Sequence, residues 1–178
     1  MTERELIFGC IREDNDCQRE LFKKYSGLLF SVCYRYARHR MEAEDLLQDA
    51  FIKIFDNISK FKFEGSFEGW MRRIAVNTAL KNYKKSSFQK EKIGLENRKE
   101  DSAAPTILGA LEEEDLLKLI AALPDGYRVV FNMYAIEGFS HKEIAAMLHI
   151  QESTSRSQLV KARKMLQTQI IKLQKIAS

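Results

Sequence analysis

Apolar residues in this chain recur every three or four positions over most of its length, and nowhere hold the strict two-residue alternation of a half-buried strand. Leu21, Phe22, Tyr25, Leu28, Leu29, Val32, Cys33 and Tyr36 share one helical face. After a break near His39-Arg40-Met41, the pattern returns in Ala43, Leu46, Leu47, Ala50, Phe51, Ile54, Phe55 and Ile58. A third stripe holds Phe67, Trp70, Met71, Ile74, Ala75, Ala79, Leu80 and Tyr83. The three can bury one another, which predicts an amino-terminal helical domain over residues 1–85. From Ser86 to about Leu111 the period fails, and Gly94, Pro105 and Gly109 fall among polar residues, as in a linker.

Helical pattern resumes with Leu116, Leu117, Leu119 and Ile120, and Pro124 forces a boundary. A helix carrying Val130, Phe131, Met133 and Tyr134 follows, and Gly138 stops it. Ser140-His-Lys-Glu143 is a capping box ahead of Ile144, Ala145, Met147 and Leu148. The last helix runs from about Glu152 toward Ile176 with Leu159, Ala162, Met165, Leu166, Ile170 and Leu173 inward. The expected fold is therefore all-α: two small helical domains, 1–85 and 112–178, joined by residues 86–111. A chain of 178 residues with 45% hydrophobic content can support two such cores.

Several function classes drop out early. Met1-Thr-Glu-Arg-Glu-Leu6 is no secretory signal, and no run approaches the roughly 18 uninterrupted apolar residues of a membrane helix, so no membrane insertion is expected. Cys10, Cys17 and Cys33 lack C-x-x-C spacing, and His39, His141 and His149 pair with no Cys or Glu at ligand spacing. Buried free thiols in a reducing cytoplasm, with neither metal nor cofactor, are expected. There is no H-E-x-x-H, G-x-S-x-G, Walker or G-x-G-x-x-G pattern to suggest an enzyme.

Charge is sorted along the chain, although the net value is only +4. Lys60, Lys62, Arg72, Arg73, Lys81, Lys84 and Lys85 face only Glu64 and Glu68 between Lys60 and Lys85. From Phe139 onward, Lys142, Arg156, Lys161, Arg163, Lys164, Lys172 and Lys175 outnumber Glu143 and Glu152. Two basic patches on separate domains suit two contacts with one polyanion. Each alone reads equally as a solvated face.

Glu143 to Lys164 has the period of a helix-turn-helix, with Ile150 and Leu159 filling the angle between the helices. Short donors and an arginine open the second helix, where side chains reach base edges in a major groove. A plain helical hairpin would share this pattern. The resemblance becomes specific over Leu123-Pro124, Glu137-Gly138-Phe139-Ser140-x-x-Glu143-Ile-Ala and Thr154-x-Arg156-Ser157-x-Leu159-x-Lys161-Ala162-Arg163. These residues resemble region 4 of the extracytoplasmic-function sigma factors, which reads the −35 promoter element. The resemblance assigns −35 contacts to Thr154, Arg156, Ser157, Gln158 and Lys161, and the basic face continues through Arg163 and Lys164. His149 stands where the family usually has glycine in the turn, and Gln151 replaces the usual Ser or Thr cap.

The amino-terminal half is similar to region 2 of the same family. Asp45-Leu-Leu-Gln48-Asp49-Ala-Phe51 matches D-x-x-Q-[DE]-x-F, whose polar face docks on the clamp helices of the polymerase largest subunit. Asp45, Gln48 and Asp49 lie opposite the Phe51 and Phe55 side. Phe67-Glu-Gly-Trp70-Met-Arg72-Arg73-Ile-Ala-Val-Asn77 resembles the segment that follows −10 DNA, which implies that role for Arg72, Arg73, Asn77, Lys81, Lys84 and Lys85. The loop Lys60-Phe61-Lys62-Phe63-Glu-Gly-Ser66 corresponds to one that captures a flipped −10 base in the family. Phe61 and Phe63 either supply a stacking wall or anchor the loop to the core. Trp70 reads as core packing.

Together the resemblance implies a non-catalytic initiation subunit whose partners are core RNA polymerase, promoter DNA and an anti-sigma protein. The region-3 domain of primary sigma factors has no counterpart, and the 86–111 linker takes its place. An ordinary helix-turn-helix regulator would explain the carboxyl-terminal half alone.

Overall fold

The computed structural model describes residues 1–93 and 113–177, with side chains over 1–85 and 113–176. Among the described residues every regular element is helical. The chain divides into two compact units, Met1–Lys85 and Ser86–Ser178.

The first unit is built from α1 (Glu3–Ile11), α2 (Asn15–Tyr36), α3 (Arg40–Asn57), a short 3-10 turn (Ile58–Lys60) and α4 (Phe67–Ile93). Leu21, Leu29 and Val32 of α2 meet Ala43, Ala50 and Ile54 of α3 and Phe67, Met71 and Ala75 of α4 in a core that excludes water. Truncating one of its large side chains to alanine costs about 2–5 kcal/mol. The break after α2 is capped by His39, whose Nδ1 accepts from the Glu42 N–H at 3.2 Å. The three cysteines are free and buried. Burial pushes the Cys33 thiol up to about 12 and that of Cys10 to about 11, which leaves both in their unreactive neutral form.

Helix α1 has no place among the expected elements. Its signal was local: Thr2-x-x-Glu5 is a capping box in which the Thr2 hydroxyl accepts from Glu5 N–H and the Glu5 carboxylate accepts from Thr2 N–H. Leu6, Ile7 and Cys10 complete a stripe too short to stand out by period. The α4 backbone also outlasts its apolar stripe. It stays helical past Lys85 to Ile93, because no glycine or proline interrupts it before Gly94 and a helix needs no burial to continue. The remainder of the expected linker, 94–111, lies outside the described residues apart from this overlap.

The second unit holds α5 (Glu113–Ala121), α6 (Asp125–Phe131), a π turn (Asn132–Ile136), α7 (His141–Leu148) and α8 (Glu152–Ala177). Leu119, Ile120 and Leu123 pack on Ala162 and Leu166, flanked by Tyr127, Phe131, Ile170 and Leu173. Pro124 begins α6, and Gly138 at φ +78° ends the run that follows. In the π turn the Glu137 N–H reaches back to the Asn132 carbonyl at 2.9 Å.

Candidate polymerase and nucleic-acid interfaces

Helix α3 sorts its side chains cleanly. Leu46, Ala50, Phe51 and Ile54 are buried, whereas Asp45, Gln48 and Asp49 are all exposed on the other side. The helix is pinned in rotation. Glu42 accepts from Arg38 N–H and from Asn82 Nδ2 of α4, both at 3.0 Å, and Lys53 Nζ donates to Thr78 Oγ1 at 3.3 Å. The acidic face is therefore a fixed patch with open side chains, suited to a basic protein surface.

The loop before α4 separates its two phenylalanines. Phe61 is buried, with its ring 5.1 Å from Phe67 and 5.5 Å from Trp70, and Trp70 stacks on Phe67 at 5.6 Å and 16°. Phe61 anchors the loop, and Trp70 belongs to the same aromatic cluster. Phe63 is 38% exposed and takes a left-handed backbone at φ +58°. Lys62 is exposed, and Lys60 Nζ donates to Asn57 Oδ1 at 2.8 Å. Along α4, Arg73, Asn77, Lys81, Lys84 and Lys85 are exposed, and their three- and four-residue steps place them in one row. Arg72 stands beside that row, half-buried and 3.8 Å from Glu68.

In the second unit, Ser140 caps α7 by accepting from Glu143 N–H at 3.1 Å, and Glu143 returns the bond at 2.8 Å. His149 ends α7 in the left-handed region at φ 56°, ψ 45°, and the Ile150 N–H closes the turn on the Ala145 carbonyl at 3.1 Å. The strain expected of a residue with a Cβ at this glycine position is present. At the start of α8, Arg156 and Ser157 are exposed and Thr154 is half-buried. Arg156 pairs with Glu152 at 3.5 Å. Lys161, Arg163 and Lys164 are exposed farther along, with the Arg163 guanidinium 5.8 Å from the Tyr134 ring centre.

Gln158 is placed differently from its neighbours. It packs over Gly126 of α6, where a Cβ would come within 3.4 Å of Oε1, and that oxygen is buried. Sequence reasoning also passed over Ser155, which is wholly buried and bonded to His141. Its signal was phase: Ser155, Leu159, Ala162 and Leu166 step along one inward face.

Two family models match this geometry in order. Sigma-70 region 2 covers residues 21–89, and Sigma-70 region 4 covers residues 113–166. Curated relatives match both halves at once. The ECF RNA polymerase sigma-E factor of Haemophilus influenzae is 26% identical over 96% of each chain. The chain belongs to the extracytoplasmic-function sigma factors.

The sigma-E factor of Escherichia coli is 28% identical over 96% of this chain and 95% of its own length. The SigW factor of Bacillus subtilis is 29% identical over 88% and 90%. Solved structures agree in fold. The sigma factor RpoE from Bartonella quintana, in complex with the anti-sigma factor NepR, has a TM-score of 0.56 at 20% identity and covers 85% of this chain and 95% of its own. CnrH, in complex with the cytosolic domain of CnrY, has a TM-score of 0.50 at 18% identity over 94% and 96%. This protein is thus an RNA polymerase sigma factor. A helix-turn-helix regulator of another kind would leave the region 2 match unaccounted for. No described helix of this sigma factor is long and apolar enough to cross a membrane.

Proposed function

We propose that this sigma factor docks on core RNA polymerase through Asp45, Gln48 and Asp49. Residues 1–85 then take unpaired −10 DNA along the loop Lys60–Ser66 and the α4 row, and residues 112–178 read −35 DNA. The observation that carries this reading is the exposure of three polar rows on otherwise apolar helices, inside the two matched regions and in their order. Arg156 and Ser157 are the base-reading candidates, with Thr154 at their edge. Lys161, Arg163 and Lys164 supply cations for phosphates. Gln158, turned toward α6, acts on DNA only through the packing of α8. The protein catalyses nothing itself, works in the cytoplasm and is held in check by an anti-sigma protein. The relatives' names and the complexes of the solved neighbours support that regulation.

The test is transcription in vitro with core polymerase over genomic DNA, followed by mapping of start sites. Start sites that share spaced −35 and −10 elements are expected. A protein that neither binds core polymerase nor yields such starts overturns the proposal.

A further inference from the structure

Helix α1 lies ahead of the matched region 2, which begins at residue 21. It is nevertheless built against the loop that follows α3. Gly9 lets α1 approach α2 so closely that a Cβ there would overlap the Cys17 side chain, and the Tyr25 hydroxyl donates to Glu3 Oε2 at 2.8 Å. So seated, α1 turns Arg4 and Phe8, one helical turn apart, toward Phe63. The Phe8 and Phe63 rings stack at 5.4 Å and 30°, and the Arg4 guanidinium carbon lies 5.1 Å from the Phe63 ring centre.

Phe63 adopts φ +58°, a conformation that residues with a Cβ hold only where their surroundings impose it. Arg4 and Phe8 are those surroundings. Both rings remain partly open, Phe8 at 43% and Phe63 at 38%, and Arg4, Lys60 and Lys62 around them are exposed. Exposed aromatic faces among mobile cations are the chemistry that holds single-stranded nucleic acid.

We propose that α1 is a working part of the strand-opening site: Arg4 and Phe8 hold Phe63 in its left-handed conformation, so that its open ring stacks on an unpaired base. This rests on the reading that the Lys60–Ser66 loop takes the −10 strand. Arg4 and Phe8 are positioning residues that act through Phe63.

The experiment uses the full chain bound to core polymerase. The probe is single-stranded DNA, selected by the wild-type holoenzyme from a pool randomised over its central positions. Phe63→Ala is expected to weaken binding at least about fivefold, as loss of one base stack does. Arg4→Ala and Phe8→Leu are each expected to weaken it roughly two- to fivefold, with core-polymerase affinity and melting temperature nearly unchanged. In a Phe63→Ala background both should have no further effect. If Phe63→Ala weakens binding but Arg4→Ala and Phe8→Leu do not, or if their effects simply add to it, the role of α1 is overturned and the loop reading stands. A Phe63→Ala protein that binds the probe normally overturns both.

Discussion

Ser155 Oγ and His141 Nδ1 meet at 2.7 Å across the helix-turn-helix, joining the first residue of α7 to a wholly buried position in the first turn of α8. Tyr134 covers the imidazole, ring on ring at 4.4 Å and 15°. Removing His141 leaves a hydroxyl without water or partner, at a cost of about 1–3 kcal/mol. His141→Ala should therefore destabilise the protein by that amount. The His141→Ala/Ser155→Ala double variant should lose less than the two single losses combined. Thermal unfolding of the four proteins in the cycle measures the coupling; strictly additive losses would show that the pair does not act together.

The acidic patch on α3 makes a contrasting prediction, because its side chains support nothing within the fold. Changing Asp45 and Asp49 to Lys should shift melting by no more than about 0.5 kcal/mol equivalent, as exposed substitutions do. Core-polymerase affinity should fall at least tenfold, since like charge set against a basic surface costs several kcal/mol. Titration of labelled core polymerase reads the loss, and an unchanged affinity in the folded variant would remove this face from the docking surface.

Along α8, base reading and phosphate holding separate by position. Arg156→Ala should change which −35 sequences are preferred, because a good base contact discriminates by about 1–3 kcal/mol. Lys164→Ala should weaken all sequences alike and lower the log–log salt slope by about 0.9. Holoenzyme binding to a randomised −35 library at two salt concentrations distinguishes the two patterns. Matching uniform losses would mean that Arg156 reads no base.

His149 offers a gain of stability. Glycine reaches φ 56° without a Cβ penalty, whereas an imidazole residue there carries strain. After the entropy glycine adds to the unfolded chain, His149→Gly should stabilise the second unit by roughly 0.5–1 kcal/mol. Denaturant unfolding followed by a probe in that unit checks the sign.

Tyr25 predicts a loss at alkaline pH. Burial first, and then the hydrogen bond to Glu3 and its charge, push the phenol up to about 12. Tyrosines in the unfolded chain ionise near about 10. The native preference for the neutral phenol therefore contributes fully below about pH 10 and disappears as pH rises through 12. Between pH 9 and 11 the wild type should lose on the order of 1 kcal/mol more stability than Tyr25→Phe. Equal slopes for the two proteins would place the alkaline sensitivity elsewhere.

The long stripes of α2, α3 and α4, the Pro124 boundary and the Ser140 capping box were legible because each rests on period or on a side chain's own backbone chemistry. The exposed Asp45–Gln48–Asp49 face followed from the same period. What escaped depended on contacts between elements. Helix α1 is too short for period to reveal. Phe61 and Phe63, adjacent and alike in type, take opposite roles because only the fold turns one ring inward. Gln158 and Ser155 sit in a helix whose polar residues looked equivalent until α6 and α7 closed over two of them.

The π turn at Asn132–Ile136 carries a consequence for how this region can change over generations. An α-helix advances about 100° per residue, and the wider turn takes in one residue more than an ordinary one. That extra residue sets the angular phase between buried Val129, Val130 and Met133 on one side and Gly138, Ser140 and His141 on the other. Deleting Ala135 would leave a continuous helix of unchanged character, yet swing everything after it by about 100° and carry His141 off the Tyr134 ring. The stretch can accept many replacements of its letters and no change in their number.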